Sequence, residues 1–177
     1  CMEIRSPKLL IEININEFIF LILKTDENEN FKIINKYSLP IQGISDKQIQ
    51  DFDLISNLFK EKIYEIEQEN NFVFNEATLI INNFDCSVIN FTGFKKLNGS
   101  QLEKENVTYI INSLKTKINE IESHKTILHI FNSKFFLDRK IINNIPIGLF
   151  GDFYSHELSF FLINKNDFKN LQNIFKK

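Results

Sequence analysis

Residues 9–24, LLIEININEFIFLILK, place an apolar residue at every second position and then run almost wholly apolar. A period of two fixes a strand, because successive side chains leave it on opposite faces. Ile11, Ile13 and Ile15 are expected on one face, Glu12, Asn14 and Asn16 on the other, with Asn16-Glu17 turning the chain into a hairpin. After the polar loop TDENEN (25–30), FKIINKYSL (31–39) reads as a third strand, and Pro40 ends it because proline cannot donate to a ladder. A chain that opens this way starts a sheet, not a helical bundle.

A loop over 41–52 with Gly43 leads to a helix capped by Asp51 or Asp53. Leu54, Ile55, Leu58, Phe59, Ile63 and Ile66 recur at helical spacing, and EQENNFVFNE breaks the pattern. ATLIIN (77–82) suits a buried central strand.

A second unit begins near Asn83. FDCSVINFTGFKKL (84–97) reads as a long or bent strand, with Gly93 as a bulge or hairpin point and Cys86 as a small core or strand residue. Ser100 to Glu103 has the form of a capping box. Val107, Ile110, Ile111, Leu114, Ile118 and Ile121 form a helix stripe, and a strand over 125–137, a loop over 138–151 and a strand over 155–163 follow. Asn166 or Asp167 is expected to cap a terminal helix. The order is β-β-β-α-β, then β-α-β-loop-β, then α. This predicts an α+β or α/β fold, divided at 1–83, 84–163 and 164–177.

With 43% hydrophobic residues and nineteen Phe among 177, the chain can bury a core. The net charge of −2 is spread along the chain, so no basic stripe exists to follow a nucleic-acid backbone. No apolar run reaches the ~20 residues that span a bilayer, and residues 1–8 lack a signal peptide's apolar stretch. Cys1 precedes Met2, which reads as the natural start. A cytoplasmic protein is expected. His124, His129 and His156 fall in separate segments without a nearby Cys, so no metal site and no cofactor are expected. No nucleophile elbow is present. Phe131, Phe135, Phe136, Phe160 and Phe161 read as core before they read as a peptide groove. Lys95 and Lys96 read as protection of a strand edge before they read as a contact with an acidic partner.

Several of these segments resemble the FtsA family of bacterial cell-division proteins. The family's first strand, V-G-[IL]-[DE]-[IL]-G-[ST]-x-K, aligns with LLIEININE (9–17), and its P-x-x-G step with Pro40 to Gly43. Its L-H-V-I-P strand resembles residues 128–132, its N-P-[IV]-G-[LM]-x-G loop residues 145–151, and its V-H-[LI]-I-T strand residues 159–164. The resemblance implies a partial actin-like, ribonuclease-H-like subdomain carrying the family's inserted strand-helix-strand-strand subdomain, here residues 84–163. Glu12, Asn14 and Glu17 would then be degenerate phosphate-loop positions. Asn14 stands where a glycine lets amides approach phosphate, and Glu17 stands at a basic position. The chain also stops before the family's later nucleotide loops and its second lobe. The resemblance implies a non-catalytic protein, recruited to the inner face of the membrane at the division site, that contacts division proteins or a second protomer through 84–163. Val88, Asn90, Thr92, Phe94, Lys95 and Lys96 are the candidate contact residues. An actin-like scaffold of the type IV pilus assembly type, or a fragment of an ATP-binding actin-like ATPase, are the alternatives.

Overall fold

A computed structural model describes residues 6–176. The chain forms two compact units: one runs to Phe84 and resumes at Lys169, and the other is Asp85–Phe168.

In the first unit β1 (Lys8–Ile13) and β2 (Glu17–Thr25) pair antiparallel, and β3 (Phe31–Pro40) adds to β2. Ile11 and Ile13 are fully buried, but Ile15 is 71% exposed. The strand ends at Ile13, so Ile15 sits at the hairpin tip and leaves the expected stripe. A small ribbon, β4 (Ile44–Ser45) with β5 (Gln48–Ile49), occupies the expected loop. It hangs on Gly43, whose carbonyl accepts from the amides of Gln50 and Asp51. Gly43 has φ +73, and a Cβ there would stand 2.7 Å from Ile55 Cγ1, so glycine is required twice over.

Helix α1 (Phe52–Asn70) starts where Asp51 accepts from the Leu54 amide at 3.0 Å and ends at left-handed Asn71. Phe18 and Phe20 meet Phe59 edge-on, with centroids 4.9 and 5.5 Å apart, and so fix α1 to the sheet. Ile55, Ser56, Phe59 and Ile66 are its buried residues, whereas Leu54 turns outward. β6 (Ala77–Ile81) pairs parallel to β1, giving the order β3-β2-β1-β6. β6 is therefore an edge strand among the described residues and not the expected central one. Its Ile80 is 40% exposed, and no further strand pairs with β6 among the described residues.

The second unit is a four-stranded antiparallel sheet in the order β7-β10-β8-β9, one strand more than expected. Its strands are β7 (Cys86–Lys96), β8 (Lys125–Leu137), β9 (Lys140–Ile142) and β10 (Phe153–Asn164). The extra strand is β9, folded back by a two-residue turn in which Asp138 and Arg139 both take left-handed φ. Helix α2 (Lys104–Ile121) packs Val107, Ile110, Leu114 and Ile118 against Leu158, Phe160 and Leu162 of β10. Ile111 is only partly buried and Ile121 is exposed, so the stripe is narrower than its apolar residues imply.

Local details decide between the expected alternatives or differ from them. β7 is the long strand expected, and its pairing with β10 runs from Cys86 to Lys96 without a break. Gly93 is neither a bulge nor a turn: a Cβ there would lie 2.4 Å from Ile110 Cγ2, so the glycine lets α2 come down onto the sheet. Cys86 is a strand residue, the first of β7, and lies exposed on the uncovered face and not in the core. The N-cap of α2 is Glu103, whose amide donates to Asn106, while Ser100 donates its hydroxyl to the Leu97 carbonyl. Helix α3 (Lys165–Ile174) follows β10 directly, and Asn164 accepts from the amides of Asn166 and Asp167, taking the capping role expected of those two.

Because Ile110 is β-branched and stiff, it cannot easily yield to a methyl at position 93. Gly93→Ala should cost about 1–3 kcal/mol by overpacking. Urea denaturation should show this in the second unit; a loss below ~0.5 kcal/mol, the level of an inert surface change, would show that α2 does not bear on Gly93.

Candidate functional site

β7 ends one edge of the second sheet, with no further strand beside it among the described residues. Its side chains alternate strictly. Ser87, Ile89, Phe91, Gly93 and Lys95 face α2, while Val88, Asn90, Thr92, Phe94 and Lys96 face the side that α2 does not cover. Val88 is 53% and Phe94 61% exposed. Phe94 stacks on Phe153 at 5.4 Å, and Asn90 accepts from the Ser159 hydroxyl at 2.7 Å. The sequence-derived contact residues thus share one strand but not one face: Lys95 lies half-buried, with its ammonium 5.2 Å from the Tyr109 ring centroid.

The uncovered face continues across β10 and β8. Phe131 meets Phe161 edge-on at 5.3 Å and is 54% exposed, and Ile141 of β9 is 69% exposed. The aromatic residues divide. Phe160 is core, Phe135 packs on His156 at 4.8 Å, and Phe131 with Phe161 lies on the open face. Sequence periodicity assigns them all to core because it cannot count the layers that cover a sheet.

At the first hairpin, Asn14 Oδ1 accepts from the amides of Asn16 (2.9 Å) and Glu17 (2.8 Å). The two turn amides best placed to hold an anion are thereby satisfied by the protein's own carboxamide. Glu12 Oε1 accepts from the Asn82 carboxamide at 2.8 Å, which ties β1 to the end of β6. Asn14 to Glu17 and Asn82 line a shallow pocket of about 450 Å³.

Two further features are not legible as sites in the sequence. A groove of about 830 Å³ in the first unit is walled by Leu9, Phe59, Ile63, Phe74 and Phe175, with Lys60 and Glu67 at its rim. In the second unit, His156 is wholly buried and its Nε2 is 2.8 Å from Asn132 Oδ1. His156 Nδ1 and the buried Tyr154 hydroxyl have no protein partner. Burial lowers the His156 pKa from 6.5 and pushes the Tyr154 hydroxyl up to about 12. Glu157, next in sequence, faces the open side and accepts from Ser133. Among the described residues, no three His, Cys, Asp or Glu side chains come together to hold a metal, and no helix is long and apolar enough to cross a membrane.

No protein-family model matches this chain, and no curated protein matches it. A solved structure, the PilM-PilN type IV pilus biogenesis complex, superimposes with a TM-score of 0.58 at 7% identity, over 96% of this chain and 44% of that one. The chain therefore spans less than half of the protein it resembles. The likeness carries an actin-like fold of mixed α/β type and goes no further: at this identity it shows neither a cell-division nor a pilus role.

Between pH 6.5 and the lower value of His156 in the folded protein, the unfolded chain binds a proton that the folded chain refuses. Stability conferred by the neutral ring is thus full above 6.5 and is lost as pH falls below it. His156→Gln keeps a donor toward Asn132 but cannot titrate. Its denaturation midpoint should fall less than the parent's just below pH 6.5. Parallel pH profiles for the two proteins would contradict this assignment.

Proposed function

We propose that this chain is a non-catalytic, actin-like scaffold module that works by holding another polypeptide, with the second unit as its holding surface. One observation carries the reading: β7 is an edge strand of eleven residues whose uncovered face exposes Val88 and Phe94 among the polar Asn90, Thr92 and Lys96. An open edge offers unpaired backbone donors and acceptors to an extended segment, and pockets between side chains on the adjoining face give selectivity. The first hairpin supports the absence of nucleotide chemistry, since Asn14 already occupies its amides and Glu17 adds a negative charge.

Between the two scaffold types, type IV pilus assembly is the one we adopt, because a structure that shares the fold is a complex of PilM with PilN. A division-site role of the FtsA type is the second reading, favoured by the motif likenesses at 40–43 and 145–151. Both readings place the module on the cytoplasmic side of a membrane assembly; the FtsA-type reading uses residues 84–163 as the contact, and in the pilus reading we assign the contact to the same unit.

A photo-crosslinking residue at Thr92 or Phe94, introduced in the producing cell, should yield polypeptide adducts, while the same residue at Lys117 on the exposed side of α2 should not. Equal labelling at the three positions, or none, would reject β7 as the contact. Calorimetry with Mg-ATP should be flat, and a saturable micromolar signal would return the hairpin to nucleotide binding.

A further inference from the structure

The geometry points to a second copy of this chain as the strand that β7 receives, antiparallel, about a two-fold axis at Phe91. This rests on the reading of β7 as the contact and names its occupant. In a continuous sheet, residues directly opposite must share a face, so the axis has to pass through a residue and not between two. An axis at Phe91 sets Asn90 opposite Thr92 of the partner subunit, Val88 opposite Phe94 of the partner subunit, and Cys86 opposite Lys96 of the partner subunit. A polar pair and an apolar pair result. Moving the axis to Thr92 would set Val88 and Ile89 against the two lysines, and moving it to Asn90 would leave both lysines beyond the pair.

The charge along the strand selects the same arrangement. At its start stand Asp85 and Asp167; both Cys86 and Asp167 have their pKa raised, first by burial and then by the neighbouring carboxylate charge. Lys125 also lies there, held by Ser87 and Glu122. At the far end stand Lys95 and Lys96, with Asp152 beside Leu97. An antiparallel two-fold pair lays each acidic end on the other copy's basic end, the self-complementarity of an isologous contact. It also joins the row Phe161–Val88 of one copy to the row Phe94–Ser155–Phe136 of the other across a single sheet. β7 carries neither proline nor bulge to deter such pairing.

The native Cys86 reads the register directly. With Cys1→Ser in place, Lys96→Cys in the full chain should give a disulfide-linked dimer under mild oxidation, because position 96 faces Cys86 of the partner subunit. Within one copy the two thiols stand roughly 33 Å apart along the strand and cannot join. Phe94→Cys should link far less. Sedimentation of the unmodified chain should show a dimer, and Lys95→Glu with Lys96→Glu should weaken it about tenfold or more, as attractive charge pairs turn repulsive. Circular dichroism checks that the variants are folded. A monomer at the highest soluble concentration, or a dimer that links better through position 94 than 96, overturns the proposal. Adducts of another protein at Thr92 in the cell, with a monomeric purified chain, would sink self-pairing and leave the scaffold reading standing. A monomer with no adducts at all would sink both.

Discussion

One helix covers the second sheet, and most of what makes this chain usable as a surface follows from that. An α-helix is about 10 Å across and strands are spaced ~4.8 Å apart, so a single helix covers about two strands of one face. α2 takes its place over β7 and β10, where Gly93 leaves room for Ile110 and Leu114. The opposite face has no helix among the described residues. It therefore shows water a mixture of Phe, Val and Ile with Asn, Thr, Ser and Glu, instead of a core. The β7 edge is open for the same reason: the sheet ends there.

The first unit solves a different problem. β1 is shared between an antiparallel partner, β2, and a parallel partner, β6, which buries Leu9, Ile11 and Ile13 under α1. A hairpin so placed points its turn amides outward. Asn14 occupies them internally, and Glu12 is held by Asn82. The turn thereby gains rigidity and its amides are no longer free for an anion.

The sequence was legible wherever a pattern had one physical cause. The hairpin of 9–24, the amphipathic stretch through Phe59 and Ile66, and the helix through Ile110 and Ile118 all lie where periodicity puts them. Misreadings arose where one residue type answers to two causes. Gly93 looks like a bulge but serves helix packing, and Ser100-Gln101-Leu102-Glu103 looks like a capping box although the helix begins three residues later. The ATLII segment looks central because it is apolar, yet only the arrangement of its neighbours decides whether a strand is covered. The candidate contact strand is legible as an edge strand flanked by lysines, but the splitting of Lys95 and Lys96 onto opposite faces depends on the position of α2. The buried His156 and Tyr154, and the groove beside Phe59, carry no sequence signal beyond ordinary core composition.

Amide hydrogen exchange along β7, measured on the full chain at low and at high concentration, tests the account most directly. The account predicts that alternate amides between Cys86 and Lys96 slow with concentration, while those of α2 and of the first unit do not change. Exchange in β7 that stays fast at every concentration, with protection growing instead around Phe59, Ile63 and Phe74, would place the contact in the groove of the first unit and contradict it.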